Sequence, residues 1–377
     1  MTNDRIEKNT GTSPVTTDPA QTPKSPAERL LEWYDANRRI LPWREDPSPY
    51  HVWLSEIMLQ QTRVEAVRDY YDRFLTALPT IESLAKADED LYLKLWEGLG
   101  YYSRVRNLHK AAGQIMAEHA GQMPRTYDEL LKLAGIGPYT ASAIASICYD
   151  ARIPAVDGNL LRVFARTTGY DGSIKADAAK TAARDYYLSL FPEHRCGDMN
   201  QALMDLGARI CLPNGAPLCD QCPWSRLCAA HREGREQELP VVPAKKARPA
   251  EDKTVFLIYY EQKLALRKRP EHGLLAGLYE FPNAPGTLDQ DQAILFARDL
   301  GFTAVRLQKL PSAKHIFSHR EWHMTGWQIL ADEWEPFTGG NPRDHELFLA
   351  DARQLEEVYS IPSAFAKYQK EIRKDYL

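Results

Sequence analysis

The chain reads as mainly α through its first 230 residues, followed by a smaller α+β domain. Two observations predict this. From Ser25 to about Ala230, apolar residues recur at spacings of three and four, behind recognisable helix starts. After a stretch rich in Pro and charge at 233–253, short β-rich runs surround one amphipathic helix. The expected division is a disordered tail at 1–25, a helical domain at 26–232, a linker at 233–253 and a second domain at 254–377.

The elements follow in order. Residues 1–25 are polar, rich in Thr, Pro and Asn, and lack an apolar signal-peptide core. Ser25-Pro26-Ala27-Glu28 is a capping box with Pro at the first helical position, predicting a helix through Asn37. Trp53, Leu54, Ile57, Met58 and Gln61 share one face of a second helix. Further helices are expected at about 81–96, 102–118, 127–132, 138–148, 158–168, 176–190 and 198–210, with a second capping box at Thr126-Tyr127-Asp128-Glu129. In the second domain, Thr254–Tyr260 and Lys263–Lys268 read as a hairpin, 303–310, 322–330 and 346–349 as strands, and 289–300 as a helix.

Composition excludes little but bounds much. Hydrophobic content of 44% and charged content of 26% suit a globular chain. No apolar run approaches the length of a membrane span, so no membrane partner and a cytoplasmic location (nucleoid-associated if bacterial) are expected. Net charge is −4, with 28 basic and 30 acidic side chains through Arg235 and 19 and 21 beyond it. Global charge therefore attracts no polyanion, and any DNA-binding surface must be local.

Cys211, Cys219, Cys222 and Cys228 lie within 18 residues and include one C-x-x-C. Clustered thiolates at such spacings hold a metal or an iron–sulfur centre. A zinc ribbon usually shows two C-x-x-C pairs about 15–20 residues apart. Here the second pair is missing, which favours a 4Fe-4S loop over zinc. Leu133-Ala134-Gly135-Ile136-Gly137-Pro138-Tyr139 joins two helices through a glycine turn whose outward amides suit a DNA phosphate. Asp157, in Val156-Asp157-Gly158-Asn159, is placed to cap the next helix.

The glycine hairpin, the following Asp and the cysteine loop together resemble the helix-hairpin-helix base-excision glycosylases that carry an iron–sulfur cluster. Leu41-Pro42-Trp43-Arg44, Trp53-Leu54-Ser55-Glu56-Ile57-Met58-Leu59-Gln60-Gln61-Thr62 and Gly98-Leu99-Gly100-Tyr101-Tyr102-Ser103-Arg104 narrow that resemblance to the MutY-type adenine DNA glycosylases, over about residues 26–335. The resemblance implies a helix-hairpin-helix fold, one 4Fe-4S cluster on Cys211, Cys219, Cys222 and Cys228, and excision of adenine opposite 8-oxoguanine or guanine in duplex DNA by a monomer. It implies that Glu56 protonates the base, Asp157 stabilises the sugar cation, Tyr139 bonds within their site and Asn159 orients Asp157. Trp43, Arg44, Leu59 and Gln201 would line the adenine pocket. Gln61, Thr62, Leu99 and Tyr101 would hold the opposite base, with Tyr101 as wedge, and Gly135 and Gly137 would grip the backbone. Arg63, Arg104, Arg106 and Lys110 are candidate phosphate contacts. Two positions depart from related patterns. The first cysteine gap encloses seven residues where six is usual, and Tyr139 stands where bifunctional relatives carry the lysine that forms a Schiff base.

Gly273-Leu274-Leu275-Ala276-Gly277-Leu278-Tyr279-Glu280-Phe281-Pro282 resembles the core turn of a Nudix module, without the acidic helix that binds magnesium. Recognition without hydrolysis is expected, and Phe317-Ser318-His319 matches the loop by which such a module reads 8-oxoguanine. Rival readings are an endonuclease III-like glycosylase-lyase, opposed by Tyr139, a non-catalytic iron–sulfur redox sensor, opposed by the Glu56 and Asp157 pair, and a Nudix pyrophosphatase.

Overall fold

The computed structural model describes residues 24–243, 247–335, 347–373 and 376. Residues 1–23 of the tail expected at 1–25, and 244–246 of the linker, lie outside them. The first domain is helical throughout: α1 (Pro26–Asn37), α2 (Pro42–Glu45), α3 (Pro49–Leu59), α4 (Val64–Ala77), α5 (Ile81–Ala85), α6 (Glu89–Leu95) and α7 (Ser103–Glu118). It continues with α8 (Tyr127–Leu130), α9 (Pro138–Tyr149), α10 (Gly158–Thr168), α11 (Asp177–Leu190), α12 (Cys196–Arg209) and α13 (Ala229–Glu233).

The capping box at Ser25 forms as expected, Glu28 N–H to Ser25 Oγ and Ser25 N–H back to the Glu28 carboxylate. At Thr126 only half of it forms. The threonine oxygen accepts from Glu129 N–H, but the Glu129 carboxylate takes the Thr126 hydroxyl instead of its amide. The expected helix at 81–96 breaks into α5 and α6 at Lys86-Ala87-Asp88, and α4 fills a stretch with no helix expected. Gln61 lies beyond α3 with a left-handed backbone, not on its face.

Two apolar cores divide this domain. Trp53, Phe74, Trp96, Ile115, Leu130 and Ile144 pack in one. Leu30, Leu160, Tyr187, Met199, Leu206 and Trp224 pack in the other. Glu56 on α3 belongs to the first lobe and Asp157, capping α10, to the second, so the two carboxylates come from opposite lobes.

The second domain is a seven-stranded mixed sheet: β1 (Ala250–Tyr260), β2 (Lys263–Lys268), β3 (Tyr279–Glu280), β4 (Asn283–Pro285), β5 (Phe302–Ile316), β6 (Glu321–Trp334) and β7 (Leu347–Ala350). The order is β3-β2-β1-β6-β5, with β1 and β6 parallel, Val255 opposite Gly326, while β4 also pairs with β1 and β7 with β2. The strand begins at Ala250, inside the Pro- and charge-rich stretch. Alternation along β1 sends Val255, Leu257 and Tyr259 to one face, beneath Ile361, Phe365 and Tyr368. Phe256 and Ile258 go to the other, beneath α14 (Gln290–Asp299).

The domains meet tightly. Leu278, fully buried, packs into the first lobe's core beside the partly buried Leu275. Tyr279 Oη donates to Asp90 at 3.1 Å, Ile361 N–H to Glu97 at 2.7 Å, and Lys94 Nζ to the Leu355 and Tyr359 carbonyls.

Candidate active site and cysteine loop

Glu56 sits in the third turn of α3 among Trp53, Ile57 and Met58, and only 6% of it is exposed. Burial pushes its carboxyl up to about 7; the Asp157 charge adds to the rise, while the nearby Tyr139 hydroxyl and the Arg44 charge oppose it. Its Oε2 has no hydrogen-bond partner among the described residues. Asp157 caps α10, accepting from Leu160 N–H at 2.8 Å and from Asn159 Nδ2 at 2.9 Å. Burial raises its pKa, and these two bonds work against the rise by favouring the carboxylate. Burial and the two nearby carboxylates hold the Tyr139 phenol well above its ordinary value, so it stays protonated. Glu56, Asp157, Tyr139 and Asn159 are thus brought together.

The expected adenine-pocket residues divide. Arg44 and Gln201 line a cleft of about 220 Å³ with Tyr34, Arg38 and Asp198. Arg44 is held there by a two-pronged ion pair to the buried Asp205, shared with Arg39. Trp43 instead points into the first core, edge-on to Tyr71 at 5.2 Å, and Leu59 packs half-buried against that core.

Arg104 is buried, not the surface charge that was expected. Its Nη1 donates to the Ile57, Met58 and Gln60 carbonyls, and its Nη2 to those of Leu99 and Gly100. This one guanidinium therefore ties together the two loops that carry Gln61, Thr62, Leu99 and Tyr101. Gln61 and Tyr101 both hold left-handed backbones, at φ 58° and 50°, a conformation costly for residues with a Cβ. Gly98 has φ +99°, and a Cβ there would collide with the Tyr70 hydroxyl. Gln61 is exposed and Thr62 half-buried, Leu99 is buried, and Tyr101 is 45% exposed.

Leu99 and Tyr101 line one wall of a cleft of about 830 Å³ between the domains. Phe317, Ser318 and His319, the turn joining β5 to β6, line the other, with Gly273–Ala276. Phe317 is pinned on Trp322 at 4.8 Å, while Ser318 and His319 are exposed, 3.4 Å from hydroxyl to imidazole. Gln61 and Thr62 are not among the residues of this cleft. In the hairpin, Gly135 needs its glycine: φ is +73°, and a Cβ would strike Asn107. Gly137 has an ordinary φ of −92° and caps α9 in front of Pro138.

The four cysteines, none of them in a disulfide, surround a small cavity walled by Val163, Leu206 and Trp224. Arg166 Nη1 donates to Cys211 Sγ at 3.3 Å, and Arg162 Nε to the Cys211 carbonyl at 2.8 Å. The first gap forms an exposed bulge at Pro213–Ala216, whose base is closed by Leu218 N–H on the Ile210 carbonyl. Beside the loop, Cys219, His231 and Glu236 bring one potential ligand atom each within 4.8 Å of one another.

Sequence reasoning missed Arg162 and Asp205. Arg162 Nη2 bonds Asn159 Oδ1 at 2.9 Å, so a continuous chain of bonds joins Asp157 to the cysteine loop. The available signal was Arg162 and Arg166, four apart on a helix whose neighbouring Leu160, Leu161, Val163, Phe164 and Ala165 are apolar and buried. For Asp205 no comparable pattern existed.

Residues 54–187 match the HhH-GPD superfamily of base excision DNA repair proteins, and residues 254–371 match the NUDIX domain. A thermostable thymine-DNA glycosylase of known structure is 29% identical and superposes with a TM-score of 0.51, over 55% of this chain and 95% of its own. The molecule is thus a base-excision DNA glycosylase carrying a Nudix-type module. Adenine DNA glycosylases of Rattus norvegicus (37% identical, 91% of this chain and 78% of the relative), Mus musculus (37%, 77% and 67%) and Buchnera aphidicola from Acyrthosiphon pisum (33%, 78% and 83%) are similar over most of their length. The chain belongs to the adenine DNA glycosylase family, enzymes that cleave an N-glycosidic bond in base excision repair.

Proposed function

We propose that the enzyme hydrolyses adenine from A:8-oxoguanine and A:G mispairs in duplex DNA, acting as a monomer and leaving an abasic site without cutting the strand. The observation that carries the reading is Glu56, a buried carboxyl with a pKa of about 7 facing a second, hydrogen-bonded carboxylate. Adenine must first leave the stack. Glu56 then donates its proton to N7, and the C1′–N9 bond breaks with its electron pair going to the base. Asp157 faces the resulting oxocarbenium charge. The Glu56 carboxylate takes a proton from water, whose oxygen bonds to C1′. Tyr139 has no amine to attack the sugar, which supports release without strand cleavage.

The sign of the pH dependence follows. A carboxyl raised to about 7 is protonated below that value and loses its proton above it. Single-turnover base release is expected to fall about tenfold per pH unit above about 7. A rate flat from about pH 6 to about pH 9 would count against Glu56 as the acid.

The interdomain cleft supports lesion reading by Ser318 and His319, which face Leu99 and Tyr101 across it. A hydroxyl and an imidazole together can sense the N7–H and the extra carbonyl of 8-oxoguanine. The double variant Ser318→Ala, His319→Ala is expected to lose about 1–3 kcal/mol of preference for A:8-oxoguanine over A:G in binding. Its saturated single-turnover rate should change little. A folded double variant that keeps the full preference would return lesion reading to the helical domain. Glu280, the acid within the Nudix-like turn, is buried and ion-paired to Arg267 and Arg269, which supports recognition without hydrolysis.

For the cysteine loop we propose one 4Fe-4S cluster on Cys211, Cys219, Cys222 and Cys228. Tetrahedral zinc with Zn–S bonds of ~2.3 Å needs sulfurs only ~3.8 Å apart. Cys219, His231 and Glu236 form the one group of three potential ligand atoms within 4.8 Å among the described residues, so no three of the four sulfurs are that close. Two buried arginines against the loop suit an anionic thiolate-bound cluster. The cluster's contribution is to order the loop.

A further inference from the structure

Arg104 presents an unbalanced charge. Its terminal nitrogens meet backbone carbonyls, with one long contact to the Thr62 hydroxyl, and none meets a carboxylate. Burial lowers its pKa to about 10, the Tyr101 phenol opposes that drop only in part, and no carboxylate does so. Neutral carbonyls satisfy donors but supply no counter-charge, which a buried cation ordinarily has. Two donors are also left over. Arg104 Nε and the indole Nε1 of the fully buried Trp53 have no hydrogen-bond partner among the described residues.

Both residues line one cavity of about 170 Å³, with Gln60, Ser103, Asn107 and Gly135 supplying further polar groups and no carboxylate. The space is well beyond the ~10–15 Å³ that a single water needs. It lies at the first turn of α7, a 16-residue helix whose N-terminus carries partial positive charge. A guanidinium, an indole N–H, amides and a hydroxyl around a space without acids form a receptor for an oxyanion.

We propose that this cavity seats a tetrahedral oxyanion of the phosphate class, held by Trp53 Nε1 and Arg104 Nε and completing the charge balance of Arg104. The anion is either a DNA backbone phosphate or free inorganic phosphate. The first source rests on the DNA-binding reading, because the cavity is flanked by the turn before Gln61, the helix start after Tyr101 and the glycine hairpin.

Crystals of the full chain without DNA, soaked in sodium selenate, test the site directly. An anomalous peak is expected in the cavity, with oxygens about 3 Å from both nitrogens. In crystals of the duplex complex soaked likewise, a backbone phosphate in the cavity identifies DNA as the source, and selenate there identifies a free anion. Water alone in both crystals overturns the proposal. In solution, sodium phosphate at constant ionic strength is expected to raise the Tm of the DNA-free enzyme saturably. Trp53→Phe, which removes only the indole donor, should shrink that increment at least twofold, whatever its own baseline Tm. An equal increment in the two proteins also overturns it.

Discussion

Glu56→Gln is expected to bind a mispaired duplex as the parent does and to release adenine at least 10²–10⁴-fold more slowly, roughly the contribution of a positioned general acid. The substitution preserves the shape of a side chain that is almost wholly enclosed, and removes its titratable proton. Adenine is then left to depart as an unprotonated anion. Stability should not suffer, since burial already favours the neutral form of Glu56 and an amide is neutral at every pH. Single-turnover kinetics at saturating enzyme, with binding measured separately, make the check. A near-parental rate would remove Glu56 from the chemistry.

The second large effect concerns the cysteine loop. Protein purified anaerobically is expected to be yellow-brown and to hold about four irons per chain. Cys219→Ser should lower iron content and folded yield together. Between Cys211 and Cys228 the loop has only two single-turn 3₁₀ segments, neither burying a residue. Trp224, fully buried and bonded to the Pro26 carbonyl at 2.8 Å, anchors it midway. Loss of the cluster is therefore expected to loosen the two flanks of Trp224, giving new protease cuts at Leu212–Leu218 and Ser225–Leu227 before the helical core unfolds. Stoichiometric zinc without iron would contradict the assignment.

What the sequence revealed, and what it hid, follows from where each signal is stored. Helices with a capping side chain or an N-terminal Pro were legible: Ser25 and Pro26 open α1, Asp157 opens α10 and Pro138 opens α9. Helix α4 was not, because Arg63 makes no side-chain cap and only Val67, Tyr71 and Phe74 of its fourteen residues are buried. Strands β5 and β6 run longer than their apolar centres suggest, since outer residues such as Lys314 and Glu333 pair by backbone while their side chains face solvent. At the site, short motifs located Glu56, Asp157 and Tyr139. The partners that hold the site, Asp205 on Arg44 and Arg162 on Asn159, lie over 160 residues away in one case and one turn along a buried helix in the other. The burial of Arg104 was equally hidden, for its carbonyl acceptors lie on two loops about 40 residues apart.

The central claim, hydrolytic excision of adenine opposite 8-oxoguanine without strand cleavage, is tested most directly by one end-labelled duplex containing a single A:8-oxoguanine pair. Free adenine is expected in stoichiometric burst amount, with the labelled strand intact until alkali cleaves it at the abasic site. Cleavage without alkali, a borohydride-trapped covalent adduct, or no adenine release would contradict it.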